Sequence, residues 1–192
     1  LQSMLKLFQS FIGKWSFHRD IAHFAPGLGA ASMPSAAAGA SCTLGNPRSS
    51  TSSSSIPTTS TNPFGVERMT VDGQASFTTM TSQDDANSLQ YEESGILISN
   101  DNAGTPVNQR YIYRYQDDRI HVYFDAVPND GRLLHSLDFI NSNLATGHHW
   151  CPPDTYDATY EFVNPHEFHL TYCVQGPKKN YKMTTVFKRR DN

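Results

Sequence analysis

The chain has 192 residues and a mass of 21.4 kDa, which is the size of one ordinary domain. Its 15 basic and 18 acidic side chains give a formal net charge of −3, without the basic surplus that nucleic-acid-binding proteins usually carry. No apolar run is long enough to span a membrane and no signal-like segment opens the sequence. We therefore expect a cytoplasmic protein without nucleic-acid partners.

The first residues predict a short helix that leads into a strand. Residues 6–11 hold a small apolar cluster suited to a short helix. Trp15, Phe17 and Ile21 then alternate with polar side chains, which is the period-two pattern of a half-buried strand. From about residue 25 to residue 62 the composition changes, and residues 41–62 contain eight Ser and five Thr. Such a stretch buries too little apolar surface to offset its ordering entropy, so we expect a low-complexity loop inside one domain at 5–192.

Further strand patterns follow the low-complexity stretch at short intervals. They lie at 75–80, 89–97, 109–115, 119–124, 133–139, 156–162, 168–175 and 181–187. Together with the first strand they predict an antiparallel all-β fold of about eight or nine strands, either a sandwich or a barrel.

Polar residues at strand positions favour the barrel over the sandwich. Those positions are Arg19, Arg110, Tyr113, Arg114, His121, Tyr123, His135 and Tyr172. A sandwich packs its inner faces dry, whereas a barrel of this size can keep a cavity in which water or a ligand satisfies polar groups. The alternative is that some of these side chains face solvent, because a shift of one residue in register exchanges the two faces of a strand.

Gly13-Lys14-Trp15 resembles the Gly-x-Trp opening of the calycin group, which includes lipocalins, fatty-acid-binding proteins and nitrobindin-like haem barrels. The resemblance implies a calycin-like β-barrel in which Trp15 closes one end and a basic residue of the last strand, Lys188 or Arg189, packs over it. Further motifs at 11–15, 89–95, 149–156 and 175–181 resemble a family of uncharacterised proteins, catalogued as a domain of unknown function. That family implies a lipocalin-like barrel and supplies no catalytic residues.

The densest group of reactive side chains lies at residues 148–156, with sequence HHWCPPDTY. One interpretation is a zinc site with His149 and Cys151, although the paired ligand spacing of structural zinc sites is missing, so we expect no metal. A second is a nucleophilic Cys151 with His149 as base and Asp154 as the orienting carboxylate. A third is structural, with Trp150 plugging the barrel and Asp154 capping a turn. A fourth is ligand contact at the barrel mouth.

A second group joins His121 and Asp125 on one predicted strand with His135 and Asp138 on the next. A histidine that faces a carboxylate across a cavity can act as a general acid–base without a cofactor. No phosphate-binding glycine loop is present in the sequence, so we expect no nucleotide cofactor.

The sequence thus predicts a barrel that binds a small hydrophobic or amphipathic molecule. Expected ligand-binding residues are Arg110, Tyr123, Trp150, Asp154, Tyr156 and Tyr172, with His135 and His149 as candidate acid–base groups. Arg110 would pair with a carboxylate or enolate, and Trp150 would cover the mouth. One alternative is a cofactor-independent isomerase, cyclase or dehydratase in the same cavity, and another is a haem-binding barrel.

Overall fold

A computed structural model describes residues 4–24, 66–80, 87–99, 104–125 and 131–190. The predicted low-complexity loop at about 25–62 lies outside these residues. No helix in the described part of the chain is long and apolar enough to cross a membrane.

The described residues form one short N-terminal helix and eleven antiparallel strands. The elements are α1 (Met4–Ser10), β1 (Gly13–Phe24), β2 (Val66–Thr79), β3 (Ser88–Ile98), β4 (Gly104–Gln116), β5 (Arg119–Phe124), β6 (Leu133–Ser136), β7 (Asp138–Asn141), β8 (Leu144–Cys151), β9 (Asp154–Asn164), β10 (Glu167–Gln175) and β11 (Asn180–Arg189). They make one sheet in the order β6-β5-β4-β3-β2-β1-β11-β10-β9-β8-β7, curled into a nearly closed barrel. The all-β prediction and the short helix are confirmed.

The prediction of eight or nine strands was too low, for two local reasons. The strand predicted at 133–139 is divided at Leu137 into β6 and β7, and β8 carried no recognisable pattern. On β8 the inward positions are Ala145, Gly147 and His149, so the apolar alternation that marks a strand is missing there.

The barrel closes along a seam between β6 and β8 rather than through a complete hydrogen-bonded ladder. In the chain segment 133–141, β6 pairs with β5 and β7 pairs with β8, so the segment changes partner at Leu137. The gap beside β8 is filled by side chains. The ring of His135 packs against Gly147, and His149 hydrogen-bonds the backbone of Leu134.

One end of the barrel is closed by α1 and Trp15. The indole Nε1 of Trp15 donates a 2.8 Å hydrogen bond to the carbonyl of Phe11, directly after α1. The Arg189 guanidinium lies 4.3 Å from the centroid of the Trp15 ring, and its Nη1 donates to the carbonyl of Ile12 at 2.8 Å. This arrangement confirms the expected packing of a basic residue of the last strand over Trp15, and the residue is Arg189.

On several strands the inward side chains are fully buried near this closed end and partly exposed toward the opposite, open end. On β1 the inward residues Trp15 and Phe17 are buried, whereas Ile21 is partly exposed. On β11, Phe187 is buried and Met183 is partly exposed. The barrel is therefore filled by side chains near α1 and accessible from the other end.

Candidate functional site

We call the accessible half of the barrel interior the cup. Its walls are the partly exposed inward side chains of Ile21, Leu97, Val107, Phe124, Tyr156 and Met183. Each of these strands has fully buried inward positions nearer α1. Ile21, Leu97 and Phe124 follow those positions in the sequence, and Val107, Tyr156 and Met183 precede them. The walls are mostly apolar and reach solvent at the open end, as in a typical small-molecule site.

A buried ion pair forms the floor of the cup. The Arg19 guanidinium donates to both carboxylate oxygens of Glu93, at 2.8 and 2.7 Å, and its Nε donates to Thr185 Oγ1 at 2.9 Å. The hydroxyl of Tyr91 also donates to Glu93. Only 13% of the Arg19 side chain and 6% of the Glu93 side chain are exposed. Because the guanidinium also lies 4.9 Å from the Phe17 ring centroid, Arg19 separates the aromatic packing below from the cup above.

Two tyrosines stand beside the ion pair. Tyr111 and Tyr172 are largely enclosed by protein and only partly exposed. Burial raises the pKa of Tyr111 to about 12 and raises the pKa of Tyr172 well above its usual value. Both phenols therefore stay protonated near neutral pH and are able to donate a hydrogen bond.

A chain of hydrogen bonds links the seam to the barrel interior. His135 Nε2 lies 3.1 Å from the hydroxyl of Tyr160, which lies 3.3 Å from the hydroxyl of Tyr113. His135 is only 2% exposed, and its Nδ1 atom has no hydrogen-bond partner. Burial lowers the pKa of His135 to about 3, so the imidazole is neutral at physiological pH.

The rim of the cup carries His149, Tyr156 and a surface ion pair. The His149 ring lies between those of Phe124 and Tyr156, at centroid distances of 5.7 and 6.0 Å. Partial burial lowers the pKa of His149 below its ordinary value. Lys179 Nζ binds Asp154 at 2.8 Å and donates to the hydroxyl of Tyr156 at 2.6 Å. Asp154 therefore holds the turn between β10 and β11 against β9.

Residues 11–189 match the model of a family of unknown function, DUF6314. The chain belongs to this family. The resemblance drawn from the sequence motifs is thereby confirmed, and the family brings no assigned activity with it. A comparison with curated proteins finds no match.

Solved structures show what the fold of this DUF6314 member is similar to. One is the S-type phycobiliprotein lyase CPES from Guillardia theta, with a TM-score of 0.59 and 9% sequence identity over 99% of this chain and 94% of that one. Another is a redesigned β-barrel, mFAP0, bound to DFHBI, with a TM-score of 0.39 and 10% identity over 94% of this chain and 100% of that one. At such identities the likeness to the lyase shows the shared barrel fold alone.

Three of the predicted ligand-binding residues do not face the barrel interior. Arg110 points outward and pairs with Asp125 at 2.8 Å. Tyr123 lies on the same outer surface, with the Arg114 guanidinium 5.3 Å from its ring centroid. Trp150 is 58% exposed on the outer face of β8, so the expectation that it plugs or covers the barrel was wrong. The reason is strand parity, because the inward positions are the neighbouring Tyr111, Val122 and His149.

The other predicted residues do lie in or around the cup. Tyr172 stands at the floor, His135 at the seam, and His149, Tyr156 and Asp154 at the rim. Their roles as ligand-binding or acid–base groups stay predictions.

The structure does not bring together the predicted histidine–carboxylate pair. His121 points outward and hydrogen-bonds Ser136 at 2.7 Å, whereas His135 points inward toward Tyr160. In the described part of the chain, no group of three or more His, Cys, Asp and Glu side chains is placed to hold a metal ion. Cys151 is exposed and free at the edge of the rim.

Sequence reasoning missed Glu93, the residue that sets the charge of the floor. The signal was present, because Leu89, Tyr91 and Glu93 alternate along β3 and therefore share one face. An acidic residue on the apolar face of one strand and a basic residue, Arg19, on the apolar face of another would have suggested an internal ion pair.

Proposed function

We propose that this protein binds a small, largely apolar molecule in the cup, with the floor groups Arg19, Glu93, Tyr111 and Tyr172 orienting it. The observation that carries the proposal is the gradient of burial along β1, β3 and β11, whose inward side chains are fully buried near α1 and partly exposed toward the open end. A barrel optimised only for folding stability would have closely packed side chains in both halves, because protein interiors are close-packed.

The chemistry of the lining supports the same conclusion. Apolar walls supply the hydrophobic driving force for a ligand, and a small number of convergent polar groups supply its orientation. The floor groups are held in place by one another, as the fork of Arg19 on Glu93 shows. Such preorganised polar groups lose little conformational entropy when a ligand arrives.

A fluorescence titration tests the proposal. N-phenyl-1-naphthylamine is an uncharged apolar probe that brightens when it leaves water. We expect saturable binding to the wild-type protein. Met183→Trp, which fills the cup, should weaken binding at least about tenfold, whereas Lys182→Trp on the outer face of the same strand should leave it unchanged. No saturable binding by the wild-type protein, or equal binding by both variants, would refute the proposal.

The structure offers no specific support for the catalytic alternative. That alternative called for a buried histidine paired with a carboxylate. Among the described residues the histidine–carboxylate pairs lie on the outer face of the barrel: His18 with Asp72 and Asp20, His148 with Asp157, and His169 with Glu167 and Glu161. The inward-facing His135 is paired with a tyrosine instead. The enzymatic and haem-binding hypotheses stay predictions from the sequence.

A further inference from the structure

The charged groups at the floor of the cup neutralise one another. Both carboxylate oxygens of Glu93 are bound by Arg19, and one of them also accepts a hydrogen bond from Tyr91. Arg19 uses its Nε, Nη1 and Nη2 atoms in this network. The floor therefore presents a closed ion pair to a ligand rather than an unpaired cation.

The other titratable groups beside the ion pair and at the seam are uncharged at neutral pH. Tyr111 and Tyr172 are protonated, and burial raises the pKa of each further above neutral pH, while burial lowers the pKa of His135 and keeps it neutral. At the rim, Lys179 is bound to Asp154 at 2.8 Å. Arg132 lies at the solvent edge, 5.3 Å from the Phe124 ring centroid, where water screens its charge.

A ligand anion at the floor would have to compete with Glu93 for Arg19. If it succeeded, the Glu93 carboxylate would be left buried without its counter-ion, which is strongly unfavourable. If it failed, the anion itself would be desolvated without a partner. A neutral ligand meets neither penalty, and the protonated phenols of Tyr111 and Tyr172 suit an oxygen or nitrogen acceptor on such a molecule.

We propose that the ligand of the cup is an uncharged, mostly apolar molecule that carries a hydrogen-bond acceptor, and that the Arg19–Glu93 pair excludes carboxylate and sulfonate ligands. This inference rests on the function proposed above. It assigns Glu93 the role of a specificity-determining residue, because it cancels the cation that would otherwise attract an anion.

The test compares two probes that differ in one anionic group. N-phenyl-1-naphthylamine is neutral, and 8-anilinonaphthalene-1-sulfonate adds a sulfonate to the same ring system. For the wild-type protein we expect the sulfonate probe to bind at least about tenfold more weakly. Glu93→Gln removes the counter-charge and keeps a polar amide, so it should tighten sulfonate binding about tenfold and change binding of the neutral probe by less than about threefold.

A neighbouring glutamate provides the matched control. Glu92 lies on the outer face of β3, where its carboxylate is 3.3 Å from Arg110. Glu92→Gln should leave the affinities for both probes as in the wild-type protein. Circular dichroism shows whether Glu93→Gln is folded, and if it is not, the wild-type comparison of the two probes decides the question.

The outcomes separate this inference from the proposed function. Equal or tighter binding of the sulfonate probe by the wild-type protein would overturn the neutral-ligand inference and leave cup binding intact. A folded Glu93→Gln variant with unchanged sulfonate affinity would also overturn it. Failure of the wild-type protein to bind either probe would overturn both proposals together.

Discussion

The two halves of this barrel are built from the same strands but differ in how closely their side chains pack. Near α1 the interior is a dense group of aromatic rings, in which Phe168 and Phe187 stack at 4.4 Å and Phe11 and Phe77 stack at 5.0 Å. Toward the open end the same strands present Ile21 and Met183, which remain partly exposed. The packed half is buried as a core, whereas the cup keeps apolar surface accessible.

This difference indicates which half of the barrel stabilises the fold and which half we expect to bind a ligand. Apolar surface stabilises a fold in proportion to the area removed from water, about 25 cal/mol per Å². The aromatic rings of Phe11, Phe77, Phe168 and Phe187 are almost fully removed from water, but the cup residues are not. We therefore expect most of the folding free energy to come from the packed half, and binding to depend on the cup.

The largest expected difference is in the free energy of unfolding, between alanine variants at two inward residues of β11. Phe187 is 1% exposed and stacks on Phe168, so Phe187→Ala should destabilise the protein by about 3–5 kcal/mol. Met183 lies four positions earlier on the same face and is partly exposed, so Met183→Ala should cost about 1 kcal/mol or less. Urea denaturation of the two variants measures both values.

The opposite ranking, or equal losses, would show that the halves do not differ in packing. Met183→Ala has a second expected readout, which is a change in affinity for the neutral probe. Phe187→Ala should leave that affinity nearly unchanged as long as the protein stays folded.

The packed half was also the part of the fold most accessible to prediction. Gly13, Trp15 and the basic end of β11 carried a recognisable pattern, and the structure places them as expected. The seam was not predictable in the same way, because β8 turns Ala145 and Gly147 inward and its apolar Trp150 outward. Strand prediction from alternating apolar residues assumes that apolar residues face inward, so it fails on a strand whose large apolar residue faces outward.

The polar site was only partly predictable, since strand parity decides which of two adjacent polar residues faces inward. Arg110 and Tyr111 are neighbours on β4, and the sequence alone did not show that Tyr111 is the inner one. If Tyr113 is known to be buried, strand parity places Tyr111 on the inner face and Arg110 on the outer face. The cytoplasmic location stays a prediction, because nothing in a barrel interior bears on it.

The next comparison concerns the seam, where the packed half and the cup meet. A methyl group added at Gly147 would contact the His135 ring, with Cγ at 2.8 Å and Nε2 at 3.1 Å. Gly147→Ala should therefore displace His135 from Tyr160 and cost about 1–3 kcal/mol, more than a strand gains from replacing glycine by alanine. Urea denaturation measures the loss.

A double variant identifies the cause of that loss. If the clash with His135 is responsible, adding Gly147→Ala to His135→Ala should cost little beyond His135→Ala alone. Additive losses would instead show that the alanine disturbs the β8 backbone itself, and the seam would then not depend on His135.

The last comparison concerns the proton affinity of His135 at the boundary between the two halves. Its pKa is about 3 in the folded protein, and the ordinary value is 6.5. Between these values the unfolded chain binds a proton that the folded protein does not, so folding stability falls as the pH is lowered through this range. The expected slope is about 1.4 kcal/mol per pH unit below about pH 6. His135→Gln removes the titrating ring and should flatten this part of the curve.

Subtracting the two stability curves isolates His135, because the carboxylates and the other histidines titrate in both proteins. If the His135 difference is flat between about pH 6 and pH 4.5, water or a counter-ion solvates the protonated ring. His135 would then belong to the cup rather than to the packed half, and the cup would be deeper at the seam than its walls indicate.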